Sequence, residues 1–198
     1  MNSLYPRDLR LLVRVARMHA PCRAARASGD PEDVARMATK RSRTAEGRPT
    51  LVVLCGPSHA GKSTFARAWR RRAIVLSSEE IRRWVTGRCA PSDGEARVWD
   101  AFERHKRRAL VTGRDVVLDA CHMSRRARWH ALQGPNERYL KACVVFDVPL
   151  KTVLERCRRS GRVRPAEVRR MWRAFERQKP GYRTLTEEGF DFVAVVRR

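Results

Sequence analysis

The chain predicts an α/β fold in which a parallel sheet is covered by helices on both faces. From Thr50 onward, short apolar runs alternate with stretches of helical periodicity, the pattern of strands joined by crossover helices. The run Leu51 to Cys55 leads directly into Gly56-Pro57-Ser58-His59-Ala60-Gly61-Lys62-Ser63, a glycine-bounded loop at a strand-to-helix turn. No internal repeat or low-complexity block competes with this reading.

Taken in order, the elements begin with a basic segment. Tyr5 to Ala27 has Leu9, Leu12, Val13 and Ala16 at helical spacing with Arg7, Arg10, Arg14 and Arg17 between them, which predicts a basic amphipathic helix. Ser28-Gly29-Asp30-Pro31 then breaks the pattern. Asp30 suits an N-cap and Pro31 the first position of a second short helix ending near Arg43. Thr44 to Pro49 reads as a linker, so residues 1–48 are expected to form a basic helical N-terminal extension and residues 49–198 the main domain. Within that domain the expected strands are Leu51–Cys55, Ala73–Leu76, Val116–Asp119, Ala142–Phe146 and Phe190–Val196. The expected helices are Lys62–Arg71, Glu79–Thr86, Gly94–Thr112, Arg125–Leu132, Leu150–Arg159 and Pro165–Gln178.

The glycine-bounded loop carries the clearest chemistry. Glycines let the backbone wrap an anion, inward-pointing N–H groups meet it, and the positive end of a helix lies beneath. Gly56 and Gly61 allow the wrap, Lys62 can reach the outer phosphates, and the Ser63 hydroxyl can bind Mg²⁺. Gly56, Ser58, His59, Ala60, Gly61, Lys62, Ser63 and Thr64 are therefore the expected nucleotide-binding residues, with ATP the expected nucleotide. Residue usage agrees, since only 6 of the 44 basic residues are lysines and one of them stands where a slender point charge is wanted.

Further candidates lie at the carboxyl ends of the other strands, the edge that holds ligand in open α/β sheets. Ser77-Ser78-Glu79-Glu80-Ile81-Arg82 opens a helix there, and helical spacing puts Glu79 and Arg82 on one face. Asp119 ends the third strand, where a carboxylate can support Mg²⁺ or order the loop. The arginine-rich run Arg156 to Pro165, which contains Gly161, can close over phosphates as a lid.

The net charge of +23 is spread along the chain: residues 1–48 carry 11 basic and 5 acidic groups, leaving 33 and 16 in the main domain. A surplus of +17 on a catalytic domain favours capture of polyanions, nucleic acid above all. The six cysteines show no C-x-x-C spacing, which excludes a zinc ribbon or a disulfide framework and fits reduced thiols of a cytoplasmic protein. No apolar stretch approaches bilayer length, so a soluble protein without a membrane partner is expected.

With these residues in view, the chain resembles the polynucleotide-kinase branch of the P-loop kinases over nearly all of residues 50–198. The segments that carry the likeness are GPSHAGKSTFARAW, LSSEEIRRWVTG, VVLDACHMSRRARW, VFDVPLKTVLERCRRSGRVRP and EEGFDFVAVV. The resemblance implies a strand order of 2-3-1-4-5 and transfer of the γ-phosphoryl group of ATP to a hydroxyl, commonly the 5′-hydroxyl end of a nucleic acid. It also implies roles: Lys62 and Ser63 on phosphates and Mg²⁺, Glu79 orienting or deprotonating the acceptor, Arg82 on the acceptor's phosphate, and Arg159 or Arg162 as the lid arginine. Two departures stand out. Glu79 replaces the usual Asp, and Asp119-Ala120-Cys121-His122 replaces the usual Asp-Ala-Thr-Asn. The alternatives are a kinase for a small-molecule hydroxyl and a weakly catalytic, ATP-gated nucleic-acid-binding module.

Overall fold

A computed structural model of the chain describes residues 12–17, 48–88, 93–134 and 137–197. Its strands are β1 (Leu12–Arg17), β2 (Thr50–Cys55), β3 (Ile74–Ser77), β4 (Val116–Asp119), β5 (Leu140–Asp147) and β6 (Phe192–Arg197). Its helices are α1 (Lys62–Trp69), α2 (Ser78–Thr86), α3 (Glu95–Val111), α4 (Arg125–Ala131), α5 (Leu150–Ser160), α6 (Pro165–Gln178) and α7 (Tyr182–Glu187). In space the sheet runs β1-β6-β5-β2-β4-β3. The five strands from β2 to β6 are parallel, and counted from Thr50 their order is the expected 2-3-1-4-5.

The core follows from β2, whose six residues are all buried. Side chains alternate across a strand, so Val52 and Leu54 face one layer and Leu51, Val53 and Cys55 the other. The first layer packs on Phe65, Ala66 and Trp69 of α1 and on Val153, Leu154 and Cys157 of α5. The second packs on Phe102, Ala109 and Leu110 of α3. Helices on both faces leave the carboxyl ends of the parallel strands as one open edge, where the loops after β2, β3 and β4 converge.

The N-terminal extension departs from expectation. Residues 12–17, placed by periodicity in an amphipathic helix, form β1, which pairs antiparallel with β6 from Leu12 opposite Arg197 to Arg17 opposite Phe192. The same six residues carry two patterns, because Val13, Arg14 and Val15 also alternate with a period of two and valine favours strands. The open edge of β6 offers backbone partners that a helix would leave unused, and pairing there decides between the patterns. The rest of Tyr5 to Ala27, and the second helix expected from Pro31 to Arg43, lie outside the described residues. The remaining elements agree with expectation within two residues at each end, apart from α7, whose six residues were too short to register as a period.

Candidate active site

The loop between β2 and α1 is held open by its backbone. Gly56 has φ of 152°, and a Cβ there would lie 3.0 Å from Phe146 Cβ and 3.1 Å from its carbonyl oxygen, so any side chain would push β5 away. The Gly56 N–H donates to the Cys121 carbonyl at 2.9 Å, tying the loop to the segment after β4. Gly61 caps α1 in the left-handed region, with φ of 105°. Lys62 follows as the first residue of α1. It is buried, and its ammonium donates to the Pro57 carbonyl at 2.7 Å, so the positive charge is held inside the curve of the loop.

Beneath the loop, the end of β4 and the segment after it deliver two buried polar residues. The Asp119 carboxyl lies near the Ser63 hydroxyl and the Lys62 ammonium, both of which favour its charged form. Burial raises the carboxyl pKa, while the Ser63 contact and the Lys62 charge pull it back down. His122 has φ of 34°, and its Nδ1 lies 2.9 Å from the Leu54 carbonyl. Because a carbonyl can only accept, Nδ1 carries the proton. Burial lowers the imidazole pKa to about 4, which keeps the ring neutral. Asn, the usual residue of the resembling pattern, tolerates positive φ, and His shares that tolerance. His122 is thus a post under the strand that feeds the loop.

Glu79 sits in the first turn of α2, whose N-cap Ser77 accepts from the Glu80 N–H at 3.4 Å. Its carboxylate takes Arg83 from its own helix and Arg162 from the lid, each at 3.2 Å. Arg82 points elsewhere. It forms a two-pronged pair with Glu95 at the start of α3, at 3.0 and 2.6 Å, and these bonds lead the causes that raise its pKa. The shared face of Glu79 and Arg82 is therefore split between two partners.

The lid meets the loop through two further residues. Arg156 of α5 donates to the carbonyls of His59 and Ala60 at 3.4 and 3.1 Å. Ser160 donates to Cys157 O at 2.9 Å, so it accepts from His59 Nε2 at 2.8 Å, leaving His59 Nδ1 to accept from Ser58 at 3.1 Å. His59 adopts φ of 63°, which turns its ring toward the lid. Burial and the Lys62 charge lower its pKa, so the neutral ring that this chain of bonds requires is favoured.

The family profile of the AAA domain AAA_33 matches residues 51–185, from β2 through α7. The chain belongs to the AAA_33 family. Its fold is that of the P-loop kinases. One similar solved structure is a chain of a Pnkp1/Rnl/Hen1 complex, 27% identical with a TM-score of 0.50, covering 56% of this chain and 39% of that one. A second, from the Pnkp1/Rnl/Hen1 RNA repair complex, is 23% identical with a TM-score of 0.58 over 76% of this chain and 49% of that one. A sugar kinase from Janibacter sp. HTCC2649 is 17% identical with a TM-score of 0.50 over 75% and 85%. The chain spans less than half the length of the two Pnkp1-complex chains. No curated protein matches the sequence.

Of the residues named from the sequence, this AAA_33 domain gathers Gly56, Ser58, His59, Ala60, Gly61, Lys62, Ser63 and Asp119 at one strand edge and brings Arg162 onto Glu79. Thr64, exposed in the first turn of α1, accepts from Arg67 at 3.3 Å. Arg159 is exposed on α5, and its side chain makes no hydrogen bond or ion pair among the described residues. The contacts that sequence reading missed are Arg156, Ser160 and Glu95. Arg156 looked like one arginine among several, and only the phase of α5, set by buried Val153 and Cys157, singles it out. No helix among the described residues is long and apolar enough to cross a membrane.

Proposed function

We propose that the protein transfers the γ-phosphoryl group of ATP to the 5′-hydroxyl end of a nucleic acid. The observation that carries this reading is the placement of Glu79. A carboxylate in the first turn after β3, at the strand edge that bears the phosphate loop, has a lid arginine on it at 3.2 Å. In the reaction Lys62 would leave the Pro57 carbonyl for the outer phosphates, and the loop N–H groups would hold the remaining oxygens. Glu79 would accept a hydrogen bond from the acceptor hydroxyl and set its lone pair in line with the phosphorus. Positioning counts for more than basicity here, because the transition state is loose. Arg162 would then be shared between Glu79 and the transferring group, and Arg82, with its plane fixed by Glu95, would offer its remaining edge to an acceptor phosphate.

The residues present suit Mg²⁺. The Ser63 hydroxyl and the buried Asp119 carboxyl lie near each other beside the loop, and burial raises the carboxyl pKa, so a cation there would return the acid to its charged form. Bound there, Mg²⁺ would supply charge neutralisation to the phosphate oxygens. Support for a nucleic-acid acceptor comes from the +17 surplus of residues 49–198 and from the similarity to chains of the Pnkp1 complexes. The likeness to a sugar kinase keeps a small hydroxyl acceptor as the second reading.

The test is a panel of acceptors offered with ATP and Mg²⁺: 5′-hydroxyl DNA and RNA oligonucleotides, their 5′-phosphorylated forms, and simple sugars. Initial rates should favour the 5′-hydroxyl oligonucleotides by at least two orders of magnitude in kcat/KM. A preference for sugars would replace this reading with the second.

A further inference from the structure

The helix that follows the lid carries a band of charge that the site does not use. α6 buries Val168 and Phe175, and Trp172 Nε1 donates to the Val148 carbonyl at 2.9 Å, so its rotation on the domain is fixed. The outward face bears Arg169, Arg170, Arg173 and Arg177, all exposed and together lining one open groove. Among the described residues, none of these four has a carboxylate within ion-pair distance. Of the two acids on α6, Glu176 is already taken by Lys179 at 2.8 Å. Some exposed arginines elsewhere turn back onto carboxylates, as Arg83 does on Glu79, Arg183 on Glu187 and Arg197 on Asp147.

Arg169, Arg173 and Arg177 are spaced at successive steps of four, the separation at which like charges on a helix repel. A polyanion laid along this face would relieve that repulsion. From Arg169 to Arg177 the helix rises about 12 Å, enough to face a few consecutive phosphates of one strand. Along the chain the band follows the site closely, since α6 begins three residues after Arg162, whose guanidinium reaches Glu79.

We propose that the arginine face of α6 is a docking track for the phosphate backbone of a nucleic-acid strand whose 5′ end lies at Glu79. The inference rests on the polynucleotide reading of that site. The track adds affinity and processing of long acceptors, while the chemistry at the end is left to the residues already described. Backbone contact without base readout makes it indifferent to sequence.

The experiment compares the wild type with the triple variant Arg169→Gln/Arg173→Gln/Arg177→Gln and with a control triple, Arg104→Gln/Arg107→Gln/Arg108→Gln, which removes the same charge from exposed positions of α3. Fluorescence anisotropy with a 12-nucleotide 5′-hydroxyl single strand, over a series of KCl concentrations, gives the slope of log affinity against log salt. Three lost phosphate contacts should flatten that slope by about 2 in the α6 variant and leave it near the wild-type value in the control. In transfer assays KM for the 12-mer should rise at least tenfold in the α6 variant, with kcat and the KM for a nucleoside 3′-phosphate unchanged. If the wild type labels the 12-mer and the α6 variant matches it in slope and KM, or if the control flattens the slope equally, the track is wrong and the polynucleotide reading stands. Labelling of no oligonucleotide by the wild type overturns both. Equal loss of polyglutamate binding in the α6 variant would make the face a general acidic-surface contact and overturn the track.

Discussion

On the proposed donor side of the site Lys62, Asp119 and His122 are buried, Lys62 held by the Pro57 carbonyl of the loop and His122 by the Leu54 carbonyl of β2. On the proposed acceptor side Glu79, Arg83 and Arg162 meet in ion pairs that are half exposed to solvent. Exposed pairs of this kind contribute about 0–1 kcal/mol each, so they exchange at little cost. On the proposed reading the donor side would be a preformed cradle, and the acceptor side a set of charges that incoming phosphates could rearrange. The lid bridges the two, with Arg156 and Ser160 on the loop and Arg162 on Glu79.

The sharpest way to break this division is Lys62→Ala, which removes the charge held in the loop. Transfer should fall on the order of 10³-fold, with loss of ATP affinity measured by calorimetry; retained ATP affinity would mean that the cradle is not the donor site. Next is the post under the loop. His122 has its pKa lowered from 6.5 to about 4, so its neutral form supports the fold above pH 6.5, and that support is lost as the pH falls through 6.5 toward 4. The loss amounts to about 3 kcal/mol at 1.36 kcal/mol per unit. A His122→Asn variant should show a much flatter dependence of Tm on pH across that window.

Glu79→Gln tests the other half. It should lower transfer by about 10²-fold while leaving ATP affinity within a factor of two. Equal loss of both would mean that the two sides are one unit. Glu95→Gln removes the partner of Arg82 and should destabilise the fold by about 2 kcal/mol, read as a lower Tm, and raise KM for the acceptor with ATP binding intact. The smallest effect is expected from Asp119→Asn. The folded pKa of Asp119 is raised by burial, so the stability it gives is complete at low pH and is lost as the pH rises through that value. The variant should therefore melt slightly higher than the wild type at pH 7, and the gain should vanish below the ordinary carboxylate range, although Mg²⁺-dependent transfer falls.

The same contrast explains what the sequence made legible. The donor side is written in consecutive residues, since glycines at fixed offsets, a lysine and a hydroxyl after an apolar run constrain one turn of backbone. The strands of the sheet were legible for a related reason, because a run such as Leu51 to Leu54 is fully buried and has no polar interruption. The acceptor side joins α2, α3 and the lid across sequence separations of 13 and 83 residues. Nothing local distinguishes Glu95 from any other acid at a helix start, or Arg162 from its neighbours. β1 failed to be legible for a third reason: Leu12 to Arg17 satisfies both the helical and the strand period, and the partner that decides, β6, lies at the far end of the chain.

The most direct measurement is the position of the transferred label. A 5′-hydroxyl oligonucleotide is incubated with γ-labelled ATP and Mg²⁺, digested completely to nucleotides, and the label located. Label is expected on the 5′-terminal nucleotide as its 5′-phosphate and none on a 5′-phosphorylated control, with the signal lost in Lys62→Ala and cut about 10²-fold in Glu79→Gln. Label at any other position, or transfer that survives Glu79→Gln unchanged, would contradict it.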